Sequence, residues 1–316
     1  MKNIAIINHD KTECGVYHHG WAVNEILSKS TVYEYEYVCV HDGLAFKAWI
    51  EKNYKRFSAF IFNWHPATLW WLTDELLGQI SKPKFILTGH DNIGSFSNAN
   101  YLFICDPTVP VGETKGGVSR PIFLFDDIQY SPPHGDVIKI GSFGFGQTQK
   151  QFPKIIEKVN AEFIDPVQVN IHMPYGDFVD QSGQLAKSIE DECIAIAAPH
   201  VKVNITHDYI VNYHDLSAWL NQNDINVFNY TEQPGRGCSS SIDAAISSQK
   251  PFACNSNNMY RHVRDNKDIL LEHNTLADII KRGIAPSKEF TAKWSHSQFI
   301  EDHESIIKKF IKEKTL

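Results

Sequence analysis

The sequence predicts an α/β protein of two domains. Three observations carry that reading. Short continuous apolar runs break into polar, glycine-bearing loops; apolar residues at helical spacing follow those loops; and the 316 residues are divided by the proline-rich stretch Ser131-Pro132-Pro133-His134-Gly135. Unbroken apolar runs mark strands buried on both faces, as parallel sheets require, with a helical crossover between successive strands. A chain of this length can bury two cores. We place the boundary at the proline stretch, giving domains 1–133 and 134–295 and a terminal helical segment, 296–316.

The first strand is Ile4 to Ile7, followed by the loop Asn8 to Gly15 and a helix over Val16 to Leu27. His9, Asp10, His18 and His19 therefore fall near the carboxyl end of a strand, where ligands of open α/β sheets sit. The loop has no GxGxxG, so a dinucleotide site is not supported. Val32 to Val40 alternates Tyr with Glu, a half-exposed strand, and Phe46 to Tyr54 suits a helix. Ala59 to Phe62 is a buried strand running into Asn63-Trp64-His65-Pro66, after which Trp70, Trp71, Leu72, Leu76 and Leu77 form a helical apolar face. Lys84 to Leu87 is a strand ending at Thr88-Gly89-His90-Asp91-Asn92, and Tyr101 to Cys105 another ending at Asp106. In a parallel sheet these ends bring His9, His65, His90 and Asp91 to one edge. Core or surface duty competes for each of fifteen histidines; His90 stands out because Asp91 can orient and charge-stabilise an imidazole. Gly112 to Arg120 reads as a polar, glycine-rich loop.

Val137 to Ile140 opens the second domain, followed by Gly141-Ser142-Phe143-Gly144-Phe145-Gly146-Gln147, then Lys150 and a helix over Phe152 to Val159. Gly144 and Gly146 let a phosphate approach the backbone and Lys150 supplies charge, although the GK[ST] ending of a P-loop is missing. Val167 to Ile171 and Val201 to Ile205 are strands around a helix, Gly183 to Ala198, stopped by Pro199. Thr206 to Tyr213 is a polar loop rich in aromatics before a short helix capped by Asp215. Ile225, Val227, Phe228 and Tyr230 form the next strand, Ile242, Ala244, Ala245 and Ile246 a helix, and Pro251 starts a further strand. Asn255 to Met259 presents amides to a ligand or simply turns the chain. Glu304 to Lys314 is an amphipathic helix with Ile306, Ile307, Phe310 and Ile311 on its apolar stripe.

Composition narrows the class. A net charge of −7 and a pI near 6.1, with no basic stripe, argue against a nucleic-acid partner. Cys14, Cys39, Cys105, Cys193, Cys238 and Cys254 show no paired spacing and suit reduced thiols of a cytoplasmic protein. No secretion signal or membrane-spanning run is read from the sequence, and without HExxH or CxxC no metal site is expected.

The chemistry concentrates in Tyr230 to Cys254, YTEQPGRGCSSSIDAAISSQKPFAC. Ser239, Ser240 and Ser241 are N-cap candidates, so the following helix would turn its N–H groups and positive dipole end toward an anion. Arg236, between Gly235 and Gly237, offers a bidentate donor to a phosphate or carboxylate there. Glu232 and Asp243 are placed to border the same pocket and hydrogen-bond hydroxyls. Anion donors beside hydroxyl acceptors suit a sugar nucleotide.

Glu232, Gly235-Arg236-Gly237, the serine run, Asp243-Ala244-Ala245 and Lys250-Pro251 resemble the donor-site signature of GT-B glycosyltransferases of the group-1, family-4 type. The turn through Gly144 and Lys150, and Cys14-Gly15-Val16-Tyr17, are similar to the opening loops of that family's two domains. The resemblance implies two Rossmann-like domains facing a cleft, acceptor in the first and nucleotide-sugar in the second, with the terminal helix crossing back to the first domain. It implies a metal-independent hexosyltransferase-type enzyme that uses a UDP- or GDP-sugar as co-substrate, needs no resident cofactor, and acts on a carbohydrate or other hydroxyl acceptor. Lys150, Arg236 and the N–H groups near Ser239 to Ser241 would stabilise the diphosphate. Glu232 would hold sugar hydroxyls and Asp243 the ribose, or the reverse. Tyr209, Ile210 or Tyr213 would lie against the base, with core packing as the alternative. Inverting transfer would use His90, His9 or Asp91 as base, whereas retaining transfer needs none. Two further readings are a nucleotide-sugar epimerase of the same architecture and a non-catalytic glycosyltransferase-like binding protein.

Overall fold

The computed structural model describes residues 1–89, 96–133, 135–176 and 179–311. They form two compact units. The first comprises Met1–Pro121, the short stretch Gly235–Cys238 and the chain from Lys293 onward; the second comprises Ile122–Pro234 and Ser239–Ala292.

The first unit runs β1 (Lys2–His9), α1 (Gly15–Leu27), β2 (Tyr33–Val40), α2 (Gly43–Asn53), β3 (Ala59–Asn63), α3 (Asp74–Gly78), β4 (Lys84–Thr88), β5 (Tyr101–Ile104) and β6 (Lys115–Gly117). All six strands are parallel, in the order β2-β1-β3-β4-β5-β6. The apolar runs of β1 and β3 are buried throughout their centres because helices cover both faces of the sheet. One face packs Ile7, Phe60, Phe62 and Ile86 against Phe46 of α2 and against Trp71 and Leu77.

Two segments depart from the sequence reading. The helix expected across Trp70 to Leu77 is reduced to α3, which starts only after Thr73 accepts a hydrogen bond from the Leu76 N–H. Before it the chain makes tight turns that bury Trp71 and Leu72 and leave Trp70 70% exposed. Helical spacing was met by accident, since Pro66 and the preference of Thr73 for a cap favour turns. The loop expected over Gly112 to Arg120 contains β6, which pairs its glycines with β5 at the sheet edge.

The second unit begins at Ile122, before the proline stretch. Segment 122–133 is tied to it by the Phe123 N–H donating to Ser247 Oγ at 3.2 Å and by the Lys250 ammonium donating to the Ser131 carbonyl at 2.9 Å. Then follow β7 (Ile138–Phe143), α4 (Phe152–Glu162), β8 (Val167–His172), α5 (Gln184–Ile196), β9 (Val201–Thr206), α6 (Tyr213–Asn221), β10 (Ile225–Phe228), α7 (Ser241–Ser247), β11 (Phe252–Cys254), α8 (Leu276–Arg282) and α9 (Lys288–Lys293). The five parallel strands are ordered β11-β10-β7-β8-β9. Ile140, Val169, Ile171 and Val227 meet Ile155, Ile156, Ile189 and Ile279 in one core. Helix α6 is capped by Asn212, whose side chain accepts the Asp215 N–H at 2.7 Å; Asp215, expected as the cap, lies in the first turn.

The last helix, α10 (His296–Phe310), belongs to the first unit. Ser295 caps it, and Phe299, His303, Ile306 and Ile307 form its buried stripe. His303 packs on Phe103 at 4.8 Å between ring centroids and Phe310 on Phe85 at 5.8 Å, while Asp302 accepts the Ser119 N–H at 2.8 Å. No helix among the described residues is long and apolar enough to cross a membrane.

Candidate functional site

In open parallel sheets a ligand finds room where successive connections leave in opposite directions. The second sheet has that point between β7 and β10: the chain proceeds from β7 outward to β8 and β9, then returns to lay β10 and β11 on the other side. The loop after β7 therefore faces the loop after β10. The Thr231 N–H donates to the Gln149 carbonyl at 2.9 Å, which joins them.

Gly144 turns out of β7 at φ +143°, a conformation closed to most side chains. A Cβ there would come within 3.1 Å of the Lys150 Cε, so the glycine also leaves the space the lysine occupies. Lys150 Nζ rests 3.8 Å from the centre of the Tyr230 ring, held by the negative face of the phenol. Among the described residues it has no carboxylate partner. Gly146 has a packing reason: a Cβ would lie 2.6 Å from that of Ala186 at the start of α5. The result is an ammonium group parked beside a glycine turn at the sheet's switch point, with no counter-ion among the described residues.

Next to it, a cleft of about 360 Å³ opens at the ends of β10 and β11, lined by Gln151, Asn229, Tyr230, Thr231 and Glu232 from one side and Asn255, Ser256, Asn257 and Glu272 from the other. Short polar bonds organise it. Asn255 and Asn257 both donate Nδ2 to the Tyr230 carbonyl, at 2.7 and 3.0 Å, and Asn257 accepts the Met259 N–H at 2.7 Å. Glu232 accepts the Asn258 N–H at 3.0 Å; Glu272 accepts the Ser256 N–H at 2.8 Å and its hydroxyl at 3.0 Å. The lining carries carboxylates, amides and hydroxyls, and no Lys, Arg or His. Such a surface recognises hydroxyl groups, while the adjacent Lys150 offers charge to an anion.

No family model and no curated protein matches the sequence. Solved structures do match. Anabaena HepE in complex with UDP superimposes with a TM-score of 0.66 at 9% identity, covering 98% of this chain and 100% of that one. Sucrose-phosphate synthase from Thermosynechococcus elongatus gives 0.60 at 11% identity over 99% and 95% of the two chains. An α,α-trehalose-phosphate synthase (UDP-forming) from Burkholderia vietnamiensis gives 0.60 at 8% identity over 100% and 98%. The chain has the GT-B fold. Likeness at these identities establishes the GT-B architecture of two Rossmann-like domains and leaves the chemistry to the residues.

Within the GT-B framework the residues singled out from the sequence fall into three groups. Gly144, Gly146, Lys150 and Glu232 stand at the switch-point loops and the cleft described above. Tyr209 and Ile210 follow β9 and are half-buried, with the Tyr209 ring 6.4 Å from that of Phe145 on the β7 loop.

The second group is arranged differently from expectation. Asp243 is 2% exposed on α7, a helix buried along its whole length, and the second acid of the cleft is Glu272. Ser240, at the cap position, is helical at φ −71° and makes no cap bond with its own side chain. Instead Ser239 Oγ accepts the Ser241 N–H at 3.4 Å and lies 2.8 Å from Ser241 Oγ, both residues being buried. Arg236 is exposed on Gly235–Cys238, the stretch that clusters with the first unit, where Gly237 abuts the Gly89 carbonyl.

The third group lies in the first unit. His9 is 3% exposed at the end of β1; its Nδ1 accepts the Lys11 N–H at 3.2 Å, and burial lowers its pKa to about 4. His90 and Asp91 lie outside the described residues. Glu272 had no sequence signal of its own. It follows Ile269-Leu270-Leu271, too short a run to read as a strand, yet Leu270 bridges Cys254 and the Leu271 N–H bonds the Cys254 carbonyl at 2.9 Å, which carries Glu272 to the cleft.

Among the described residues no group of three or more His, Cys, Asp or Glu side chains is arranged to hold a metal ion.

Proposed function

We propose that this protein is a glycosyltransferase that takes a hexose from a nucleoside-diphosphate sugar, UDP-linked in the first instance and GDP-linked as the alternative, and passes it to a hydroxyl acceptor without a resident cofactor or metal. The observation that carries the reading is Lys150: an ammonium group with no carboxylate partner among the described residues, held over Tyr230 beside the Gly144 turn, at the switch point of a sheet whose fold is shared with the UDP complex of HepE. As the bond from the anomeric carbon to the diphosphate breaks, negative charge grows on the departing phosphate. A cation already in place stabilises it without reorganisation. Arg236 is proposed as a second donor to the same diphosphate, and the N–H groups near Ser239 to Ser241 as further ones. Glu232 would hold sugar hydroxyls from the adjacent cleft, and the Tyr209 and Ile210 segment would meet the base. Asp243, being buried, would act on the ribose only through the position of α7.

The acceptor oxygen attacks the anomeric carbon and must lose its proton. His9 keeps its lone pair at pH 7, but a basicity near pKa 4 makes it a weak base toward a sugar hydroxyl. The proposal therefore does not depend on it. Six cysteines outside any disulfide support a cytoplasmic setting.

A thermal-shift and calorimetric screen of UDP- and GDP-sugars tests the reading, since a ligand bound only by the folded state raises the melting temperature. One charge about 4 Å from a phosphate oxygen is worth about 4 kcal/mol at an effective dielectric near 20, and solvent access reduces this. Lys150→Met should thus weaken UDP binding by roughly 10- to 100-fold, or about 1.4 to 2.7 kcal/mol. Wild-type protein that responds to no nucleotide sugar, or a Lys150→Met variant that binds UDP as the wild type does, would refute it.

A further inference from the structure

Glu232 and Glu272 come from separate parts of the chain, yet one turn holds both. The Ser256 N–H and hydroxyl bind one oxygen of Glu272 at 2.8 and 3.0 Å, the Asn258 N–H binds one oxygen of Glu232 at 3.0 Å, and Asn257 between them donates to the Tyr230 carbonyl at 3.0 Å. Each carboxylate is thereby fixed through one oxygen, and its other oxygen has no partner among the described residues. One further polar atom of the lining is buried without a hydrogen-bond partner among the described residues, the carboxamide oxygen of Asn255. The cation on the same turn, Arg261, gives an N–H to the Asn258 carbonyl at 2.9 Å and does not line the cleft. Fixed carboxylates with open acceptor sites and no cation in the lining welcome hydroxyl or ammonium groups and repel a second carboxylate.

We infer that this cleft receives the sugar part of the donor and selects neutral or amino hexoses against uronic acids, with Glu272 as a specificity-determining residue. The inference rests on the donor reading above, with the diphosphate at Lys150 and the sugar beyond Tyr230. A uronic acid differs from its parent hexose by a carboxylate in place of a hydroxymethyl group. In this cleft that carboxylate meets two like charges, whereas an amino sugar meets two opposite ones.

Calorimetric titration of the wild-type protein with UDP, UDP-glucose, UDP-glucosamine and UDP-glucuronate tests it. A second matched pair, UDP-galactose and UDP-galacturonate, makes the comparison independent of the configuration at C4. Within each pair the neutral sugar should bind at least about 10-fold tighter than the uronic acid, a difference of about 1.4 kcal/mol. Glu272→Gln keeps an acceptor oxygen for Ser256 and removes one charge, so it should narrow the gap to about threefold or less, while UDP-glucosamine should lose affinity. Equal or tighter binding of the uronic acids by the wild type would overturn the inference, as would an unaltered gap in the folded Gln variant. The two levels are separable: UDP that binds without preference within either pair sinks only the selectivity, whereas failure of both UDP and GDP to bind sinks the donor reading and the selectivity with it.

Discussion

Acidification should unfasten the first unit through its buried histidines, and His303 isolates one of them. The residue is 0% exposed on α10, stacked between Phe103 and Phe299 at 4.8 and 4.5 Å, with its Nδ1 2.8 Å from the Phe299 carbonyl. Burial holds its pKa down at about 4, against 6.5 in an unfolded chain. Between those values the unfolded state takes up a proton that the folded state refuses, so stability rises with pH across the window and is lost as pH falls below about 6.5. At pH 5 the single linkage relation, with those two pKa values, gives a loss of about 2 kcal/mol relative to pH 7, rising to about 3.4 kcal/mol below pH 4. His303→Leu removes the titrating group and keeps the volume, and the Phe299 carbonyl retains its helical partner. Urea titrations of both proteins at pH 7 and pH 5, followed by tryptophan fluorescence, should show the variant losing about 2 kcal/mol less than the wild type over that interval. His9, also depressed to about 4 by burial, contributes equally in both proteins and cancels in the difference. Equal acid losses in the two proteins would show that His303 takes its proton in the folded state, and the burial argument would fail.

Two further outcomes test the packing. Gly146→Ala forces a Cβ to within 2.6 Å of Ala186 Cβ and 2.7 Å of its Cα, so the β7 loop and α5 must part. A loss of about 1 to 3 kcal/mol in denaturant titration is expected, together with weaker UDP binding because the same loop carries Lys150. The neighbours Trp70 and Trp71 should behave oppositely: Trp70→Ala, at 70% exposure, should change stability by less than about 0.5 kcal/mol, whereas Trp71→Ala, removing a ring stacked 5.1 Å from Phe46, should cost about 3 to 5 kcal/mol. Similar losses for the pair would favour the helix that periodicity suggests over the turns observed.

The strands were legible because their signal is local. Ile4 to Ile7 and Ala59 to Phe62 are apolar on both faces, as strands of a covered parallel sheet are, and Val167 to Ile171 alternates buried apolar residues with Gln168 and Asn170. The glycine turn before Lys150 was legible for a similar reason, since Gly144 marks a backbone conformation with few other tenants. What escaped depends on distant partners. Asp243 and Glu272 are both acids near strand ends, and nothing in their neighbours says that α7 is sealed while the turn at Ser256 draws Glu272 to the cleft. The serine run looked like a cap by composition, but the helix begins after a helical Ser240, and the hydroxyls of Ser239 and Ser241 pair with each other.

The two switch points also differ in what their polar side chains are free to do. In the first sheet the point lies between β1 and β3, and there Asn8 and Asn63, 0% and 2% exposed, are fully engaged within the unit. Asn8 donates to the Tyr37 hydroxyl at 2.6 Å, and Asn63 donates to the Val16 carbonyl at 2.7 Å and to Asn8 Oδ1 at 3.2 Å. Since both Asn63 amide hydrogens are spent, its oxygen must accept, and His19 at 3.1 Å carries its proton on Nδ1. These side chains pin α1 to the sheet, and Gly20 is a glycine because their amides occupy the place of a Cβ. At the ends of the strands of the second sheet, polar groups keep open valences among the described residues: an ammonium without a counter-ion and two half-engaged carboxylates. Both carboxylates are exposed and Lys150 is half-buried, so their open sites can be reached by a ligand, unlike the sealed amides of the first sheet. On the donor reading proposed above, the diphosphate and sugar would meet these groups of the second unit, because the corresponding polar groups of the first sheet are spent on holding α1.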